Sequence, residues 1–83
     1  MTFDMNKTIS AEEILKNNKF ANCSVDELKN YWEEMKQFYT CGWIDSDTPL
    51  GAMRDAYCKD YPAGIVIMEA DFMRAVCVRT YEG

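Results

Sequence analysis

From Val25 to Tyr39 the apolar residues Val25, Leu28, Trp32, Met35 and Phe38 or Tyr39 recur every three or four positions. A helix with 3.6 residues per turn gathers that spacing onto one stripe, so the segment must be helical with one side buried. Its limits are written beside it. Ser24 and Glu27 form a capping box, in which each side chain bonds the other residue's backbone N–H, and Cys23 and Leu28 occupy the staple positions. Gly42 supplies the residue best suited to a left-handed C-terminal turn. The spacing predicts a helix over 25–40.

The same grammar repeats upstream. Ser10 and Glu13 form a box flanked by Ile9 and Ile14, which predicts a helix over 11–18 burying Ala11, Ile14 and Leu15 and ending at Asn17-Asn18. Downstream, Thr48 caps a third helix with Pro49 at its first position, where the missing N–H is harmless, and Pro62 forbids continuation. Leu50, Met53, Ala56 or Tyr57, and Tyr61 form its stripe, weakened by Gly51 in the first turn.

After Gly64 the texture changes. Ile65–Met68 and Phe72–Tyr81 are rich in β-branched and aromatic residues and are separated by Glu69-Ala70-Asp71, which predicts two strands joined by a tight turn. A helix over 70–78 is the competing expectation. Thr2–Lys7 alternates Phe3 and Met5 with polar residues, as a short edge strand does. The expected fold class is therefore α+β: three helices followed by a C-terminal antiparallel β-hairpin, with the N-terminal strand alongside. With no repeat and no Gly/Ser linker, the 83 residues read as one small domain.

Charge narrows the partners. Fourteen acids against nine bases give a net charge of −5, which opposes nonspecific attraction to nucleic acid or to anionic membranes. Between Ser24 and Asp47 six acids face two bases, so most of the excess belongs to that segment. No apolar run is long enough to span a bilayer, and the first residues do not resemble a signal peptide, so a cytoplasmic protein is expected.

Histidine is absent, which removes Ser-His and Cys-His nucleophile pairs and the usual base near neutral pH. No catalytic residues and no cofactor are expected. Cys23, Cys41, Cys58 and Cys77 lie 17 to 19 residues apart without a Cys-x-x-Cys knuckle, so buried structural thiols are expected rather than a metal or redox sensor, which stands as an alternative. Asp45-x-Asp47 invites a calcium reading, but the glycine and glutamate places of an EF-hand loop hold Leu50 and Ala56, which leaves a turn and capping role. The element order also matches a winged-helix DNA-binding regulator. Its third helix would offer Arg54 and Lys59 against Asp55 and Asp60, a net charge of zero that suits phosphates poorly.

What remains is surface. Eleven aromatics exceed what so small a core readily holds, and Tyr31, Tyr39, Trp43, Tyr57 and Tyr61 are candidates for partial exposure. The expected function is a non-enzymatic protein-binding module or inhibitor. Its acidic, aromatic surface comprises Tyr31, Glu33, Glu34, Trp43, Asp45 and Asp47 and faces another protein with a basic surface. By analogy of charge and size alone, virus- or mobile-element-encoded inhibitors of host nucleic-acid-binding proteins are of this kind. Direct contact with nucleic acid or membrane is not expected, and a homodimer could form if Ile65–Met68 lay at a sheet edge.

Overall fold

In a computed structural model that describes residues 9–82, the Ser24–Glu27 capping box forms in both directions. Ser24 Oγ accepts the Glu27 N–H at 3.1 Å and Glu27 Oε1 accepts the Ser24 N–H at 3.0 Å. Helix α2 then runs Val25–Cys41 and stops where expected, with Gly42 in the left-handed region at φ 85° donating its N–H to the Phe38 carbonyl. Helix α3 spans Pro49–Asp60 under its Thr48 cap, and Pro62 follows the extended Tyr61.

Helix α1 is shorter than its sequence suggests, Ala11–Ile14 rather than 11–18. Only half of its box closes, with Ser10 Oγ accepting from Glu13, and Asn17 turns the chain at φ 60°. The physical reason lies outside the segment. Asn18 donates to the Asp71 carbonyl at 2.9 Å and accepts the Phe20 N–H at 2.7 Å, which pulls the chain out of the helix and sinks Phe20 into the core.

The larger correction concerns the C-terminal third. Gly64–Tyr81 is one helix, α4, and the described residues contain no strand, so the fold is all-helical rather than α+β. The expected hairpin does not form, and the winged-helix topology goes with it. Gly64, Met68, Asp71, Phe72, Ala75 and Val78 are the buried positions, a three-and-four spacing that only a helix produces. That period was masked because Ile65, Val66, Met73 and Val76 make the other sides apolar too. Strand propensity is a preference for half-buried surroundings, worth tenths of a kcal/mol per residue in a helix. Burying Met68 and Phe72 contributes about 1.5–3 kcal/mol each and overrides it. Glu69-Ala70-Asp71 is not a turn: Glu69 accepts a hydrogen bond from Tyr39, and Asp71 points inward. The expected strand over 2–7 lies outside the described residues.

The core assembles around Phe20, which comes from the loop after α1. Its ring meets Tyr31 of α2 edge-on at 5.2 Å, Tyr57 of α3 in a stack at 6.0 Å and Phe72 of α4 at 5.5 Å. Helix α4 begins at Gly64 directly against Cys58 of α3. A β-carbon there would lie 2.5 Å from the Cys58 backbone, so only glycine permits the contact. Beneath Phe20 sits a satisfied polar knot. Asp71, 8% exposed, accepts from the Tyr57 hydroxyl at 2.7 Å and from Arg74 at 2.9 Å, while Tyr57 accepts the Lys19 N–H at 3.0 Å. Among the described residues no buried side-chain polar atom lacks a partner, and no helix is long and apolar enough to cross a membrane.

Candidate protein-binding surfaces

Helix α2 buries one stripe and offers a different surface on each side of it. Beside the start of α3, two shallow clefts meet at Glu34. One is lined by Glu27, Asn30, Tyr31, Glu34 and Pro49. The other is lined by Glu34, Gln37, Trp43, Ile44, Asp45 and Thr48. No Lys or Arg lines either, so the ionisable carboxyl groups along the strip are Glu27, Glu34 and Asp45. Tyr31, Glu34, Trp43 and Asp45 are thereby brought together from the expected set of six.

Each is held by its backbone context. Glu34 accepts the Leu50 N–H at 3.0 Å, which places its carboxylate at the positive end of α3. The left-handed Gly42 turns the chain so that Trp43 points outward, 67% exposed, while the next residue, Ile44, is buried as an anchor. Arg54 clamps the turn from behind by donating to the Ile44 carbonyl and to Ser46 Oγ. Asp45 Oδ1 accepts the Asp47 N–H at 2.9 Å, an Asx turn. Gly51 is where α3 receives this turn, since a β-carbon would run into the Asp45 carbonyl and lie 2.9 Å from Ser46 Cα. A residue that weakens the helix by propensity is thus required by the turn beside it.

The remaining candidates fall elsewhere. Glu33 pairs with Lys36 at 2.9 Å and Asp47 is exposed, and neither lines a cleft. Tyr31 is half-buried, and its burial, reinforced by Cys23, Glu34 and Glu27, pushes its hydroxyl above the ordinary tyrosine range. Tyr39 is exposed on the opposite flank, donating to Glu69 at 2.6 Å. Tyr57 is fully buried, contrary to the expected partial exposure, and Tyr61 stacks on it at 6.2 Å.

On the α4 side, α2 borders an apolar groove of about 340 Å³. It is lined by Val25, Leu28, Lys29, Trp32, Phe72, Met73, Val76, Arg79 and Thr80. Trp32 and Met73, at 44% and 54% exposed, form its rims. Across Met73 a second groove of about 380 Å³ continues between Ile14 and Cys77, Val78 and Tyr81. Sequence reasoning missed this face because α4 was read as strands. As a helix, α4 places Val66, Ala70, Met73 and Cys77 at four- and three-residue steps, a second stripe opposite the buried one.

Only Cys23 is a buried thiol; Cys41, Cys58 and Cys77 are exposed, contrary to the expectation of buried structural thiols. Cys58 and Cys77 fall on outward sides of α3 and α4, directions that only the helical assignment and its packing decide. Burial pushes the Cys23 thiol up, away from the reactive thiolate. Among the described residues no group of three His, Cys, Asp or Glu side chains gathers as metal ligands would. Comparison with protein-family models, with curated proteins and with solved structures finds no match.

Proposed function

We propose that this chain is a non-enzymatic protein-binding module that engages a basic surface of its partner through the acidic strip ending at Trp43. The observation behind this reading is the exposed Trp43 ring, on a turn that Arg54 clamps from behind, at the end of two clefts whose charged lining residues are carboxylates. A large aromatic held in place before binding loses little freedom on contact, which is what makes tryptophan effective at the centre of an interface. The surrounding carboxylates would guide the approach of a basic surface and set register. A cleft that ordinarily holds nucleic acid is one such surface, and its occupation would make the protein an inhibitor.

The test is capture from a native lysate by the purified chain, with identification of the retained protein and measurement of its affinity. Trp43→Ala is expected to weaken that affinity by about 2 kcal/mol, roughly thirtyfold. Joint Glu27→Gln and Asp45→Asn changes, which keep the capping box and the Asx turn, should flatten its salt dependence without disturbing Glu34, which α3 needs. Capture unaltered in both variants would remove the strip as the binding surface.

A further inference from the structure

The groove between α2 and α4 differs from the acidic strip in both shape and charge. Its floor is Leu28 and Phe72, its walls are Val25, Trp32, Met73 and Val76, and the ionisable groups that line it are Lys29 and Arg79. In a chain of net charge −5 this is a place where apolar surface meets positive charge and no carboxylate. Arg79 is fixed there by the structure itself, donating through Nη2 to the Ala21 carbonyl and through Nε to the Cys23 carbonyl at 3.2 Å. Its charge is therefore held at the groove edge before anything binds.

We propose that this groove is the docking site for an amphipathic helix of another protein, with apolar anchors along one side and carboxylates on its flank. The track is open rather than enclosed. It runs past Met73 into the second groove beside Ile14 and Cys77, so it suits a rod of side chains at helical spacing better than a small molecule, which needs burial on most sides. Charge selects the flank: Lys29 and Arg79 line the first groove and favour carboxylates over lysines, while in the second groove Arg74 is balanced by Glu82. A second copy of this chain is the poorer occupant. Pairing two copies of the groove would bring the Lys29 and Arg79 side chains of both copies into one interface.

The proposal goes beyond the acidic-strip reading and does not depend on it. It is tested with two synthetic peptides of about 18 residues, long enough to form helix. Both carry leucines at i, i+3, i+4 and i+7, one with glutamates and the other with lysines on its flanks. Binding is followed by anisotropy of a dye on the peptide and by the emission of Trp32 in a Trp43→Phe background, which leaves the groove untouched. The glutamate peptide is expected to bind at least about tenfold more tightly than the lysine peptide, with affinity falling as salt rises. Met73→Glu, at a half-exposed position that folding tolerates, should abolish binding, and Lys29→Glu should erase the preference for the acidic flank. Equal affinity for the two peptides, or binding unchanged in Met73→Glu, overturns the proposal. So does a concentration-dependent dimer in sedimentation equilibrium that Met73→Glu dissolves, which would give the groove to a second copy. Tighter binding of oleate than of the glutamate peptide would give it to a lipid and equally overturn the proposal.

Discussion

Replacing Tyr57 with phenylalanine removes one oxygen from the centre of the molecule and tests how α3, α4 and the loop after α1 are joined. The hydroxyl donates to Asp71 at 2.7 Å and accepts the Lys19 N–H at 3.0 Å, and the ring around it is fully buried. The variant keeps the ring and its stack on Phe20 but leaves a buried carboxylate one donor short and a backbone N–H without its acceptor. A hydrogen bond to a charged group is worth about 1.5–3 kcal/mol, so a loss of about 2 kcal/mol is expected. In a domain of this size that lowers Tm by about 8–16 °C. The assay is urea unfolding followed by circular dichroism at neutral pH, with Tyr61→Phe as the control, expected to change stability by less than about 0.5 kcal/mol. A second readout follows from titration. Burial and the bond to Asp71 hold the Tyr57 hydroxyl far above the ordinary tyrosine range. The folded state therefore keeps a proton that the unfolded chain releases near pH 10, so the contribution is complete below that pH and is lost as pH rises beyond it. One such group removes at most about 1.4 kcal/mol per pH unit. Tyr31 and Tyr39 are also raised, by burial and by the bond to Glu69, so the difference in slope between wild type and Tyr57→Phe is the decisive quantity. A loss under about 0.5 kcal/mol at neutral pH, or identical alkaline slopes, would refute the claim that this hydroxyl ties the helices together.

Gly64→Ala should destabilise the fold by about 1–3 kcal/mol in the same urea assay, because its β-carbon meets the Cys58 backbone at 2.5 Å; helix propensity alone predicts a small gain. Thiol labelling of the native protein should modify Cys41, Cys58 and Cys77 quickly and Cys23 only on unfolding, and mass spectrometry of the peptides would read this directly. Thr48→Ala should cost about 1 kcal/mol by leaving the Gly51 N–H uncapped, and a null effect would mean that Glu34 alone suffices at the start of α3.

The two surfaces of α2 give the molecule an unusual electrostatic layout for its size. Glu27, Glu34 and Asp45 lie on one flank, and Lys29 with Arg79 lies across the helix on the other. Charges on opposite sides of a helix about 10–12 Å across are separated by more than the Debye length of about 8 Å at physiological salt, so each surface presents its own sign to an approaching partner. The acidic-strip and groove variants therefore test separate surfaces, and the failure of one reading leaves the other standing.

The amino-acid sequence by itself determined α2 and α3 nearly to the residue. Their boundaries depend on groups within one turn: the Ser24–Glu27 box, the left-handed Gly42, the Thr48 cap and Pro49, and Pro62. It also placed a turn at Asp45–Asp47, because an Asx turn needs only its own backbone. Three matters were settled elsewhere in the fold. Asn18 left helix α1 because its partner, the Asp71 carbonyl, is 53 residues away in sequence. The run from Gly64 to Tyr81 became a helix because Met68, Phe72 and Ala75 find a core made by Phe20, Leu50 and Tyr57, and strand preference is too weak to resist that burial. The acids of α2 were divided, Glu34 bonding the start of α3 and Glu33 pairing with Lys36, by the direction in which Leu28 and Met35 turn the helix toward the core. Capping energies act over a few residues and are legible in any short window, whereas the burial that decided these three requires partners that only the folded chain brings within reach.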